Sequence, residues 1–226
     1  MKHGKKYLES LKKYDASASF DLVSAADLVK KLAFAKFDET VDLSVKLNLK
    51  KSQSVRDTVV LPHQFRGEKK VLVFCKSEKE KEALEAGATY VGSDDLIEKV
   101  KGGWLDFDIA VATPDMMKDV GKLGMVLGRK GLMPNPKTGT VTFDLKSAIA
   151  ELKKGRVEFR ADKTGVVHLP VGKVSMEPAQ IAENVQAVLA EIKRKRPADA
   201  KGDFIQSVSL SSTMGPGVWV ALKDKE

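Results

Sequence analysis

The sequence predicts a chain of mixed class, α/β in its middle and α+β at both flanks, and three observations carry that prediction. Between residues 70 and 112, short apolar runs alternate with charged helical stretches, the pattern of a parallel sheet covered by helices. Residues 40–48 alternate apolar and polar side chains without a break, as a strand with one wet face does. The C-terminal part combines strand-like runs with a long amphipathic helix, which describes helices over one face of an antiparallel sheet. At 226 residues, the chain is long enough for one large domain or two small ones with real cores.

Each element follows from local pattern. Ser24, with Asp27 three residues on, reads as a helix cap, and Leu28 and Leu32 give 24–35 one apolar face. In 40–48, Val41, Leu43, Val45 and Leu47 point one way and Asp42, Ser44, Lys46 and Asn48 the other. The middle then reads as strand 70–75, helix 78–86, strand 88–91, helix 94–101 and strand 107–112, followed by a glycine-rich loop over 121–142. Helix 146–154 is closed by Gly155. Residues 156–162 and 165–169 suggest a hairpin, and 178–195 a helix with Ile181, Val185, Val188, Leu189 and Ile192 aligned. Strands at 204–211 and 218–222 complete the set; Ser207, Ser209 and Ser211 share one face of the first, opposite Val208 and Leu210. Residues 213–217 between them form a turn of small residues with exposed amides.

Charge points to a polyanion. The net charge is +8 with pI about 9.3, and it is unevenly placed: +6 over residues 1–70, −5 over 71–117, +6 over 118–163 and +1 beyond. Such blocks favour an acidic partner met by particular faces. Residues 121–142 hold five glycines, two prolines, four Lys/Arg and no carboxylate, exposing amides beside uncompensated positive charge. Their spacing is wrong for a nucleotide loop. Gly124 and Gly128 bracket three residues where a Walker loop needs four, no Ser or Thr follows Arg129-Lys130-Gly131, and no dinucleotide fingerprint follows a strand.

Other classes recede. Cys75 is the sole cysteine and lies in an apolar run, so it reads as a buried strand residue in a reducing compartment. No apolar run approaches membrane-spanning length, and the basic start MKHGKKYLESLKKY lacks a signal peptide's apolar core. The expectation is a soluble cytoplasmic protein. His3, His63 and His168 lie far apart, with no pattern of a metal site or triad.

Four blocks, in order, carry a resemblance: KFDETV at 36–41, GLMPNPKTGTV at 131–141, FRADKTGVVH at 159–168 and SSTMGPGV at 211–218. Over essentially its whole length the chain resembles the L-one family of bacterial large-subunit ribosomal proteins, which build the mobile stalk. The resemblance implies a discontinuous α+β (split β-α-β) domain of residues 1–67 and 156–226, into which a Rossmann-like three-layer α/β domain, 68–155, is inserted. Two adjacent linkers near 66–69 and 155–156 would then form a hinge. It further implies no enzymatic activity and no cofactor, a chain monomeric when free, and binding to ribosomal RNA in the stalk region beside the tRNA exit site. A role in releasing deacylated tRNA and repression of its own operon messenger RNA are implied as well.

Matching positions give the expected RNA surface: Lys36, Phe37, Arg160, Lys163, Thr164, Gly165, His168, Ser207, Ser209, Ser211, Thr213, Met214 and Gly215. Lys36, Arg160 and Lys163 would pair with phosphates and Phe37 and Met214 pack on sugar or base, while Ser207, Thr213 and the Gly215 amide bond to 2′-hydroxyls. Lys122, Arg129, Lys130 and Lys137 are expected as auxiliary contacts. The chain departs from the family pattern in Arg129-Lys130, where Pro followed by Arg or Lys is usual, and in Asp57 and Gln64, where glycines are usual. Two competing readings remain open at this stage: an enzyme holding a nucleotide or phosphorylated substrate on the middle α/β region, and a nonspecific basic RNA chaperone.

Overall fold

A computed structural model describes residues 4–50, 53, 55–65, 67, 69–153, 155–197 and 202–222. In chain order its elements begin with α1 (Lys5–Leu11), β1 (Ser19–Phe20), α2 (Leu22–Leu32), β2 (Thr40–Leu47) and β3 (Arg56–Val60). Next come β4 (Val71–Phe74), α3 (Ser77–Glu85), β5 (Tyr90–Gly92), α4 (Asp94–Lys101), β6 (Ile109–Ala112), α5 (Met117–Val120), α6 (Gly124–Lys130) and α7 (Leu145–Lys153). The chain ends with β7 (Arg156–Arg160), β8 (Val166–Lys173), α8 (Pro178–Arg194), β9 (Ile205–Ser212) and β10 (Gly217–Val220). Mixed α and β structure divides into two compact units, one of Met1–Phe65 with Val157–Glu226 and one of Arg66–Arg156.

The first unit is built on a five-stranded sheet in the order β1-β10-β9-β2-β8. All its pairings are antiparallel except the short edge strand β1, which runs parallel to β10. Alternation in β2 decides the layering, because Val41, Leu43, Val45 and Leu47 are buried on one face. That face meets Val167, Leu169, Val208, Leu210 and Val218, and α2 and α8 close over it through Ala25, Val29, Ile181, Val185 and Val188. The opposite face carries Ser44, His168, Ser209 and Trp219 in one row, with Lys46 on the same face in the next; its polar side chains face water as the period-2 pattern requires.

The second unit holds a three-stranded parallel sheet, β5-β4-β6. Strand β4 is buried on both faces, with Leu72 and Phe74 in one apolar cluster and Val71 and Val73 in another. A continuous apolar run is what a sheet covered on both sides demands.

Four sequence expectations change. Helix α2 begins at Leu22 with Asp21 at the cap position, not at Ser24, and it ends at Leu32, not at residue 35, because Ala33 is already extended. Strands 156–160 and 166–173 do not lie in one sheet as a hairpin would: β7 pairs with β3, and the turn leading into β8 is closed by the bridge Ala161↔Val167 and by the Asp162 amide donating to the Val166 carbonyl at 2.9 Å. Val157 and Phe159 are drawn to the core beside Val55 and Val59, while β2 takes up β8 from Lys46↔Val166 to Thr40↔Lys173. The stretch 121–142 is helical in its first half, since Leu123 and Leu127, four residues apart, are buried and tertiary burial overrides glycine's low helix propensity. Gly131, left-handed at φ +71, ends that helix. Finally, α1, β1 and β3 lie where the sequence pattern marked no element. The linker near 66–69 falls partly on residues 66 and 68, and the end of helix 146–154 on residue 154, outside the described residues.

Candidate RNA-binding surface

At the start of β2, a single carboxylate organises two loops. Glu39, 1% exposed, accepts the Phe34 and Ala35 amides on Oε1 at 3.1 and 2.8 Å and the Met214 amide on Oε2 at 3.0 Å. Burial opposes its charge, but hydrogen bonds from Met214, Ala35, Ser212 and Phe34 outweigh that and hold its pKa below the ordinary glutamate value. The capture of Phe34 and Ala35 also explains why α2 stops at Leu32. Residues 36 and 37 are thereby carried out into solvent.

The turn after β9 is pinned to the same place. Thr213 Oγ1 accepts the Thr40 amide at 3.0 Å and donates to the Thr40 carbonyl at 3.3 Å. Gly215 gives its amide to Ser212, 3.2 Å from both the carbonyl oxygen and the hydroxyl. A Cβ on Gly215 would meet Ser212 Oγ at 2.4 Å, so any other residue there would have to displace the Ser212 hydroxyl that takes the Gly215 amide. These bonds show how two of the expected residues are engaged within the chain itself. The Gly215 amide is turned inward and is not offered to a 2′-hydroxyl, and Thr213, its one proton committed, retains only acceptor capacity. Lys36, Phe37 and Met214, by contrast, stand outward; Phe37 is 57% and Met214 52% exposed.

A second group gathers at the far end of β2. Asp162 Oδ1 accepts the Thr164 amide at 2.8 Å, its hydroxyl at 2.7 Å and the Val166 amide at 2.8 Å. The Val166 amide and the Thr164 hydroxyl lead the interactions that hold the Asp162 carboxyl below its ordinary range. Thr164's proton is therefore spent within the turn, while its carbonyl receives the Lys46 amine. Gly165, at φ +78, returns its carbonyl to the Leu47 amide at 2.8 Å, and a Cβ there would press on Leu47 O at 3.0 Å. Its glycine is explained by the turn. Lys163 and Arg160 lie exposed beside it.

The expected residues thus fall at two ends of one strand, roughly 23 Å apart at about 3.3 Å per residue. The polar sheet face joins them. Ser211 lies opposite Asp42, Ser209 opposite Ser44, and Ser207 opposite Lys46; Ser44 in turn faces His168, with 2.9 Å between its Oγ and Nδ1.

The auxiliary cations belong to the other unit. Lys122 pairs with Asp119 at 2.8 Å, a hydrogen bond that raises its pKa; Arg129 and Lys130 end α6, exposed; the Lys137 side chain lies outside the described residues. The Arg129-Lys130 departure lets α6 run on to Gly131. Asp57 forms an ion pair with Lys195 at 2.7 Å, tying β3 to the end of α8. Burial pushes the Cys75 thiol up to about 11, removing it as a nucleophile. Among the described residues, no helix is long and apolar enough to cross a membrane.

Residues 29–216 match the description "Ribosomal protein L1p/L10e family". The chain belongs to the ribosomal protein L1p/L10e family. Relatives agree along their whole length. The chain is 74% identical over 223 residues to the large ribosomal subunit protein uL1 of Treponema denticola, covering 99% of each. It is 62% identical to that of Treponema pallidum over 226 residues, all of both chains, and 59% to that of Borrelia hermsii over 217 residues, 96% and 97% of the two. L1p/L10e proteins are structural components of ribosomes, and the chain is not an enzyme.

Glu39 stands within the KFDETV block of this L1p/L10e chain with no sequence sign of its role. The signal is a carboxylate inside a basic surface block; what it bonds to, 175 residues away at Met214, no local pattern reveals.

Proposed function

We propose that this chain binds large-subunit ribosomal RNA through the unit formed by residues 1–65 and 157–226. The relatives bear the name of a large-subunit ribosomal protein and are matched end to end, so the partner is the ribosome and the location the cytoplasmic ribosome. The observation that carries the reading is the Glu39 cradle: buried polar bonds fix two loops so that Phe37 and Met214, both more than half exposed, project into solvent. Large apolar groups held rigidly outward beside Lys36 suit packing on sugar and base, with phosphates paired by the cation. Lys163 and Arg160 extend the strip along the backbone of the RNA.

On this reading the RNA is the stalk region beside the tRNA exit site. The unit of residues 66–156 is a Rossmann-like inserted domain, hinged through the two chain crossings and presenting its basic residues to the same assembly. Movement of that stalk assists release of deacylated tRNA, and a similar RNA structure in the operon messenger makes the chain a repressor of its own synthesis. Footprinting on deproteinised large-subunit ribosomal RNA at rising salt, with excess tRNA as competitor, tests the reading. Protection confined to one junction is expected; uniform, salt-labile protection would instead mark a nonspecific basic binder, and absence of protection would remove the RNA reading. The same footprint on the operon leader tests repression.

A further inference from the structure

Trp219 is a large apolar side chain on a sheet face otherwise given to polar groups. It is 45% exposed and lies on the polar face of the first unit's sheet, since its neighbours Val218 and Val220 are buried in the core. Its partners in register are Ser19 on β1 and Ser209 on β9, and the next positions along β9 on the same face are Ser207 and Ser211. An indole whose register partners are serines keeps close to half of its surface exposed to water. Burial normally removes such a side chain from solvent, and the sequence pattern had reserved this face for polar groups.

The row containing Trp219 continues across the sheet as Ser209, Ser44 and His168, a span of roughly 14 Å at the usual strand spacing. Hydroxyls and an imidazole at that spacing donate to and accept from ribose and phosphate. Lys46 lies in the adjacent row, and Asp42, which shares the face, is already engaged. The whole unit carries 22 Lys/Arg against 17 Asp/Glu, a net +5, so the occupant this face favours is a polyanion that also offers a flat apolar ring.

We propose that Trp219 is a stacking platform for an unpaired RNA base, with Ser209, Ser44 and His168 receiving the attached ribose and phosphate. The inference rests on the RNA-binding reading and adds to it a base-stacking site on the sheet face, separate from the Phe37 and Met214 loops. Stacking on an aromatic ring tolerates any base, so Trp219 contributes affinity and not sequence choice.

The test uses the full chain. Trp104, the other tryptophan, is replaced by Phe so that emission reports Trp219 alone, and deproteinised large-subunit ribosomal RNA is titrated in. Quenching at saturation is expected, with affinity falling about five- to a hundredfold in Trp219→Ala and largely kept in Trp219→Phe. Trp219→Ala binding like the parent chain, while Phe37→Ala loses affinity, would overturn the stacking site and leave the RNA reading standing. Absence of binding by the parent chain would overturn both. A self-association in sedimentation that Trp219→Ala abolishes, with RNA affinity unchanged, would assign the face to a second copy of this chain and overturn the proposal.

Discussion

The stretch 121–142 and the cradle around Glu39 both concentrate backbone amides beside positive charge, yet they spend them in opposite ways. In the first, glycines 121, 124 and 128 have nothing within 4 Å of a built Cβ, and Lys122 already faces Asp119. In the second, the amides of Phe34, Ala35 and Met214 converge on one buried carboxylate and the Gly215 amide on Ser212. Composition advertises the first region; architecture builds the second. A surface that recognises one partner needs side chains whose positions are fixed before the encounter, because ordering them afterwards costs affinity.

Breaking the cradle gives the largest expected effect. Glu39→Ala leaves three part-buried amides unpaired and is expected to cost about 2 to 4 kcal/mol of stability and to lower RNA affinity by more than about tenfold, read by urea unfolding and filter binding. Glu39→Gln keeps the shape with half the acceptors and falls between. Because the folded-state pKa of Glu39 is lowered, its contribution is complete above the ordinary glutamate value of about 4.3 and is lost as pH falls through the folded value. The stability gap between the parent chain and Glu39→Gln therefore closes on acidification; a gap that is flat with pH would mean that the carboxylate is not charged in the fold.

Next in size is Phe37→Ala, which leaves the cradle intact. Stability should move by no more than about 0.5 kcal/mol, as for an exposed position, while RNA affinity falls by about 1 to 3 kcal/mol. Loss of stability equal to the loss of affinity would make Phe37 a packing residue and merge the two quantities that the cradle separates.

Much of this architecture was legible from the chain. Period-2 alternation at 40–47 placed the central strand, and the apolar β4 run marked a sheet covered on both faces. What escaped depended on partners distant in sequence. Nothing in residues 156–160 tells that β3 and not β8 receives them, and nothing around Ser212 tells that its hydroxyl takes the Gly215 amide. The helix at 124–130 was hidden because glycine content is read as loop while the burial of Leu123 and Leu127 is a tertiary fact. Trp219 was placed in a strand but its exposure became visible only through register.

Smaller again is the difference between two lysines. Lys163→Ala, on the strip, is expected to lower the slope of log affinity against log salt by somewhat less than about one, as one lost phosphate contact does. Lys122→Ala, whose amine is held by Asp119 at 2.8 Å, is expected to leave that slope unchanged. Equal slopes for both variants would show that charge is read wherever it lies, and the contrast between the two regions would fail.

The smallest effect has the opposite sign. Gly128 lies within α6, with no neighbour near a built Cβ and no left-handed φ, so Gly128→Ala should stabilise the second unit by up to about 1 kcal/mol through helix propensity. Thermal unfolding reads that gain, and RNA affinity should stay where it was. If affinity drops while stability rises, the bare helix face is being approached by the partner, and the glycine-rich stretch is a contact surface in its own right instead of a solvated one. If stability falls, residue 128 does not sit in open space on a helix, and the helical reading of 124–130 fails.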